Sequence, residues 1–287
     1  MVAIRDIVAY TEVYNESVCR LTIDFREAFD RISHSYLYTI QREYGLSEEF
    51  CKRIQGLYAN ASSMLNINGN RSQPIPTQSS VRLRCPLSMA LFVLCLNVLL
   101  NALEKKLTGA KIGGIGTKTT IIAYADDVTI VVSKPEDIPI VHDTLRIYER
   151  ATGAKMNIQK SMVIALGSWN TSLKILDTPY YTETKVLGLH VQNTIHDSAK
   201  KSWNVLTSRI RAQAHDMYQR ALDLDQRIRY VQEYNLARAW YMAQLLPPPK
   251  DNLRQINMTI SWFLWKGEIF RVPLSTLQRT KKEGVGV

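Results

Sequence analysis

Between Ile121 and Val132 two apolar, largely β-branched runs flank a pair of adjacent carboxylates, Asp126 and Asp127. Ile, Val and Thr favour strands, so the pattern predicts two strands joined by a tight hairpin with Asp-Asp at its tip. Val18 to Ile23 predicts another strand, ending at Asp24. Ser161–Leu166 and Lys185–Val191 predict two more. Helical spacing appears from Val2 to Tyr14, where Ile4, Ile7, Val8 and Thr11 share one side. Ser33-His34-Ser35 can cap a helix running to Glu43, stopped by Gly45, and Ser47-Glu48-Glu49 opens the next. Asn68-Gly69 is a hairpin turn signal. Pro86 begins a long apolar helix to about Leu107, and Pro135-Glu136-Asp137 opens one that Gly153 ends.

From His196 onward the pattern is helical, broken at Pro247-Pro248-Pro249. The chain therefore divides near residue 194 into a mixed part, residues 1–194, and a helical part, residues 195–287. Charge follows the same division. The whole carries 36 Lys and Arg against 26 acidic residues, a net of +10, and residues 195–287 hold 15 against 8. That excess favours a polyanionic partner for the C-terminal third. Gly113, Gly114 and Gly116 match no phosphate-binding glycine pattern and are assigned a turn. The aromatic cluster Trp262-Phe263-Leu264-Trp265 reads as a packed helix face ahead of a base-stacking one.

Cys19, Cys51, Cys85 and Cys95 form no Cys-x-x-Cys pair, which suits a reducing compartment. No apolar stretch of signal-peptide type follows the N-terminus, and the apolar run from Met89 to Leu100 is short for a bilayer and contains Asn97. An intracellular protein, nuclear or cytoplasmic, not secreted and without a membrane partner is expected.

By itself Asp126-Asp127 reads first as a polar turn. Asp24 changes that reading, because two strands pairing centrally would bring its carboxylate to the hairpin. Convergent carboxylates suit a divalent cation that leaves positions for phosphate oxygens. A metal-dependent nuclease would use the same acids.

The chain also resembles the reverse transcriptase domain of non-LTR (LINE-type) retrotransposons. The resemblance rests on Leu21–His34 (Leu-Thr-Ile-Asp-Phe-Arg-Glu-Ala-Phe-Asp-Arg-Ile-Ser-His), on Ala123-Tyr124-Ala125-Asp126-Asp127, and on Val81–Ser88 between them. Weaker agreement follows in Gly153–Ser161, in Val186-Leu187-Gly188-Leu189, and in the tail at Trp262–Gly267 and Glu283–Val287. It implies an α+β fold: a right-hand polymerase palm, an antiparallel sheet packed on helices, with partial fingers and then a helical thumb-like region. It implies an RNA-directed DNA polymerase working by two-metal nucleotidyl transfer. Asp24 and Asp126 would ligate two Mg²⁺ (or Mn²⁺) ions, with Asp127 assisting as a catalytic residue. Phe25, Phe29, Arg82 and Lys160 would bind the nucleotide, Phe29 excluding a ribose 2′-hydroxyl. Tyr124, Leu187 and Gly188 would contact the primer. The partners would be an RNA template with a DNA primer and deoxynucleoside triphosphates.

The middle block departs from the family, which has Arg-Gln-Gly-Cys-Pro-Leu-Ser-Pro where this chain has Arg82-Leu83-Arg84-Cys85-Pro86-Leu87-Ser88-Met89. Leu83 has no side-chain amide for hydrogen bonding, Arg84 fills the space glycine leaves, and Ser80 stands where glycine is usual. With only about 20 residues before Asp24, the chain is expected to be a truncated fragment lacking most of the fingers. The alternative function is a catalytically defective nucleic-acid-binding remnant.

Overall fold

The structure is a computed structural model and describes residues 2–82, 85–111, 118–186 and 188–267. Its contacts divide the chain into two compact units, Tyr10–Thr182 and the residues to Ala9 together with those from Glu183 onward. Helix α1 (Val2–Tyr14) buries the stripe its spacing predicts, Ile4, Ile7, Val8 and Thr11.

The first unit is built on a four-stranded antiparallel sheet in the order β4-β1-β3-β2. Its strands are β1 (Val18–Ile23), β2 (Ile121–Tyr124), β3 (Asp127–Val132) and β4 (Met162–Leu166). The two central strands are apolar nearly throughout because both of their faces are covered, as continuous apolar runs require. Cys19, Leu21 and Ile23 on β1 and Val128, Ile130 and Val132 on β3 face one core. Helices α2 (His34–Glu43), α3 (Glu48–Tyr58), α4 (Pro86–Lys106) and α5 (Asp137–Thr152) supply residues to that core.

Within α4, Ser88, Leu91, Phe92, Cys95, Leu96, Leu99 and Leu103 are buried, three and four residues apart as a packed helix face demands. By length and composition alone α4 would reach across a membrane, longer than the run from Met89 to Leu100 suggests; here it packs on α2 and α5. Gly153 ends α5 at φ +83°, and Asn68-Gly69 turn a short exposed hairpin between Asn66–Ile67 and Asn70–Arg71, as the sequence predicts.

The second unit holds a hairpin, β5 (Glu183–Val186) and β6 (Leu189–Gln192), followed by helices. These are α6 (Ile195–Tyr218), α7 (Leu224–Tyr230), a π-helical turn at Val231–Leu236, α8 (Ala237–Ala243) and α9 (Lys250–Leu264). The hairpin is fastened to α6, since the amides of His190 and Gln192 donate to the hydroxyls of Ser202 and Ser198 at 3.0 and 2.8 Å. These bonds put the hairpin with the helices, whereas the shift in composition and charge comes after it. In the aromatic cluster Phe263 and Leu264 are buried, and Trp262 stacks on Tyr218 with ring centroids 4.5 Å apart.

Two expectations change. The stretch Lys185–Val191 is a hairpin rather than one strand, because Gly188 takes φ +88° and reverses the chain. The tip between β2 and β3 is Ala125-Asp126, with Asp127 already paired opposite Tyr124; Ala125 carries the positive φ, +54°, that the turn needs. Leu83, Arg84, Gly113, Gly114, Gly116, Leu187 and Glu283–Val287 lie outside the described residues.

Candidate active site

Register brings the acids together. Ile23 pairs with Val128, so Asp24 stands one step beyond the ladder, across from Asp127. Side chains alternate along a strand, which puts Asp24 on the face of Thr22 and Asp127 on the face of Thr129. Those two threonines are partners in the register with hydroxyl oxygens 3.4 Å apart, so the two aspartates share one face at one end of the sheet. Asp126 extends from the adjoining turn.

The end of β1 is held from its other side. The amide of Asn157 donates to the carbonyl of Asp24 at 2.8 Å, and the amide of Asp24 donates to the hydroxyl of buried Ser161 at 3.1 Å. The amide of Arg26 donates to the carbonyl of Lys155 at 2.8 Å. These bonds fix the backbone on both sides of Asp24 and attach it to the Asn157–Ser161 turn. Lys160 is exposed in that turn, next to the residue that holds Asp24.

The other expected residues have distinct settings. Phe25 turns its ring into the core against Tyr148, with centroids 6.0 Å apart. Phe29 is half-buried and stacks on Phe92 of α4, with centroids 4.7 Å apart and planes 23° apart. Tyr124 is 68% exposed beside the turn. Arg82 is exposed, following a segment tied to the Asp24 loop: Ser80 donates its amide to Ile32, and Val81 donates its amide to Phe29, at 3.0 and 2.8 Å. Ser80 takes φ +92°, the conformation glycine adopts without cost, and its hydroxyl donates to Asp30 at 3.0 Å. Gly188 lies in the second unit, in the turn of the β5–β6 hairpin.

Electrostatics report the same convergence. Desolvation pushes the Asp127 carboxyl above its ordinary value, and the negative charges of Asp126 and then Asp24 push it further. Asp127 is exposed at its surface, so the neighbouring protein atoms remove only part of its water. Among the described residues no Lys, Arg or His forms an ion pair with Asp24, Asp126 or Asp127. Hard oxygen donors carrying uncompensated negative charge are the right chemistry for Mg²⁺. Among the described residues, however, no three His, Cys, Asp or Glu side chains gather closely enough to enclose an ion.

Sequence reasoning missed the supporting role of Ser161 and Asn157. Each is an ordinary polar residue beside a strand, and only folding reveals which amide it meets.

Residues 2–191 match the family described as reverse transcriptase (RNA-dependent DNA polymerase). An uncharacterised 149 kDa protein of transposon TX1 from Xenopus laevis is 26% identical over 273 residues, covering 92% of this chain and 21% of that protein. The Pol polyprotein of the type-2 retrotransposable element R2DM from Drosophila melanogaster is 28% identical over 144 residues, covering 50% of this chain and 13% of that protein. The chain thus spans about a fifth or less of these two relatives. Among solved structures, telomerase from Candida tropicalis in complex with a fragment of telomeric RNA aligns over 98% of this chain and 51% of that one, at 11% identity and a TM-score of 0.49.

Proposed function

The chain belongs to the reverse transcriptase (RNA-dependent DNA polymerase) family, with relatives among non-LTR retrotransposon proteins, and on that premise we propose that Asp24, Asp126 and Asp127 form the centre of an RNA-directed DNA polymerase. The observation that carries this is the placement of Asp24 across from Asp127 on one sheet face, where their charges and that of Asp126 act on each other. Divalent ions held by Asp24 and Asp126, with Asp127 assisting, would stabilise the charge of an in-line nucleotidyl transfer.

The chain's own residues do the rest. The hydrogen-bonded backbone around Asp24 keeps its carboxylate at the strand end without reorganisation. Phe29, fixed by its stack on Phe92, presents a ring that excludes a 2′-hydroxyl, selecting deoxynucleotides. Lys160 holds positive charge, and a transferable proton, beside the departing pyrophosphate. Arg82 meets the incoming phosphates and Tyr124 the primer end. The basic second unit follows the backbone of an RNA template and DNA primer by charge.

Primer extension on an RNA template with Mg²⁺ and deoxynucleoside triphosphates tests this reading. Extension should occur and fall at least about a hundredfold in Asp126→Asn. A second reading, a nucleic-acid-binding remnant, draws support from the exposure of Asp126 and Asp127 and from the lack, among the described residues, of three metal-ligating side chains gathered around one point. Template binding with no extension would establish it instead.

A further inference from the structure

Residues Leu224–Ala243 form one continuous helix in the second unit, interrupted by the π-helical turn at Val231–Leu236. Single π turns of this kind are frequent where a helix carries a function. This one is costly, since Asn235 is buried with neither amide atom hydrogen-bonded among the described residues.

Tyr230 and Tyr234 stack with centroids 5.1 Å apart and planes 22° apart, and Tyr230 rests against Phe263 of the core, with centroids 5.7 Å apart. The inner ring is therefore braced, while Tyr234 is 51% exposed. Arg238 follows Tyr234 by four residues and Tyr241 follows Arg238 by three, spacings that keep neighbours on one helix face. Burial raises the Tyr230 phenol above its ordinary value, against the nearby charges of Arg238 and Arg220 and with that of Asp216, and the Arg238 guanidinium donates to the side-chain oxygen of Gln213 at 2.9 Å. The result is an exposed ring, Tyr234, stacked on a second ring that the core braces, with Arg238 one helical turn further on, in a region with an excess of seven positive charges from residue 195 onward.

We propose that the face formed by Tyr234, Arg238 and Tyr241 binds single-stranded nucleic acid, stacking an unpaired base on Tyr234 while Arg238 and Arg220 meet its phosphates. A flat exposed ring suits a base with a free π-face, and arginines beside it suit the connecting phosphodiester. A paired duplex offers no free base face except at its ends, so the chemistry selects single strands. This site is separate from the acids of the first unit and needs no nucleotidyl transfer to operate.

The test measures binding of fluorescent oligo(U) RNA and oligo(dT) DNA to the whole chain by anisotropy, with a blunt-ended hairpin duplex as competitor. Both single strands should bind, and a preference between them would identify which source of unpaired bases the site takes. Tyr234→Ala should weaken binding about tenfold, the loss expected for one stacked base, while Tyr234→Phe, which keeps the ring, should retain it. Arg238→Gln should lower the salt dependence by about 0.7 in log–log slope. Trp240 is 67% exposed but lies two residues beyond Arg238, about 200° around the helix, so Trp240→Ala should leave binding unchanged.

Circular dichroism checks that each variant is folded. Unchanged affinity in folded Tyr234→Ala, an equal loss in Trp240→Ala, or an equal loss of affinity for the blunt duplex in Tyr234→Ala would overturn the proposal. If Tyr234→Ala does not fold, an unchanged salt slope in Arg238→Gln would do so. Primer extension is read separately, so loss of single-strand binding and failure of the polymerase reading are distinct results.

Discussion

The amide of Asp24 donates a hydrogen bond to the hydroxyl of Ser161 at 3.1 Å, joining the end of β1 to the start of β4 across 137 residues of sequence. The bond holds the backbone from which the Asp24 carboxylate projects. Ser161 touches no reacting atom in the proposed mechanism and is a positioning residue. Ser161→Ala leaves the part-buried Asp24 amide without its acceptor, which costs about 1 kcal/mol of stability. Urea unfolding should show that loss. Primer extension should show a lower kcat with KM nearly unchanged, and Ser161→Thr should restore part of it. A merely structural role would move stability and leave the kcat of the folded protein intact.

Asp127 gives a prediction with a defined sign. Burial and the neighbouring acids raise its pKa in the folded chain, so the folded state keeps the proton to higher pH than the unfolded chain does. The stability contributed by the protonated form is present in acid and is lost as pH rises through the folded-state titration. Asp127→Asn should therefore be more stable than the parent at pH 7. The gain is below about 1 kcal/mol because the carboxylate is exposed and screened. It should vanish below the ordinary aspartate value near 3.8. Thermal melts at pH 3 and pH 7, without divalent ions, check this; a less stable variant at pH 7 would contradict it.

Phe29 has two separable roles. Its stack on Phe92 contributes about 0.5–1.5 kcal/mol beyond the area it buries, so both Phe29→Val and Phe92→Leu should destabilise the fold. Only Phe29→Val removes the ring proposed to meet the sugar. It alone should admit ribonucleotides, raising their incorporation relative to deoxynucleotides by tenfold or more on the order of a steric gate. Single-nucleotide incorporation with the matched pair of triphosphates measures it.

Ser80 holds φ +92° where a side chain is strained. Ser80→Gly relieves that strain, about 1–3 kcal/mol, but gives up the exposed hydroxyl bond to Asp30 and gains backbone freedom in the unfolded chain. The expected net effect is a gain of roughly 0.5–1 kcal/mol in urea unfolding. A loss would show that the Ser80–Asp30 bond outweighs the backbone conformation.

Much of this protein was legible along the chain because local rules suffice where an element is amphipathic and punctuated. The strand ending at Asp24, the β2–β3 hairpin, the Pro86 helix start and the Gly153 stop all follow from neighbours a few residues apart. The block around Asp24 and the one ending in Asp127 already pointed to the family that residues 2–191 match.

Tertiary structure decided what depends on distant partners. Whether Asp24 faces Asp127 is a question of register, and one step of slippage would turn one of them to the opposite face. That Ser161 serves Asp24, and that Phe25 belongs to the core while Phe29 lies over α4, follow from pairings between segments far apart in sequence. That Tyr234 stacks on a ring braced by Phe263 is likewise settled by packing between helices far apart in sequence. Sequence fixes which side chains are available; the long-range register of the backbone fixes which of them meet.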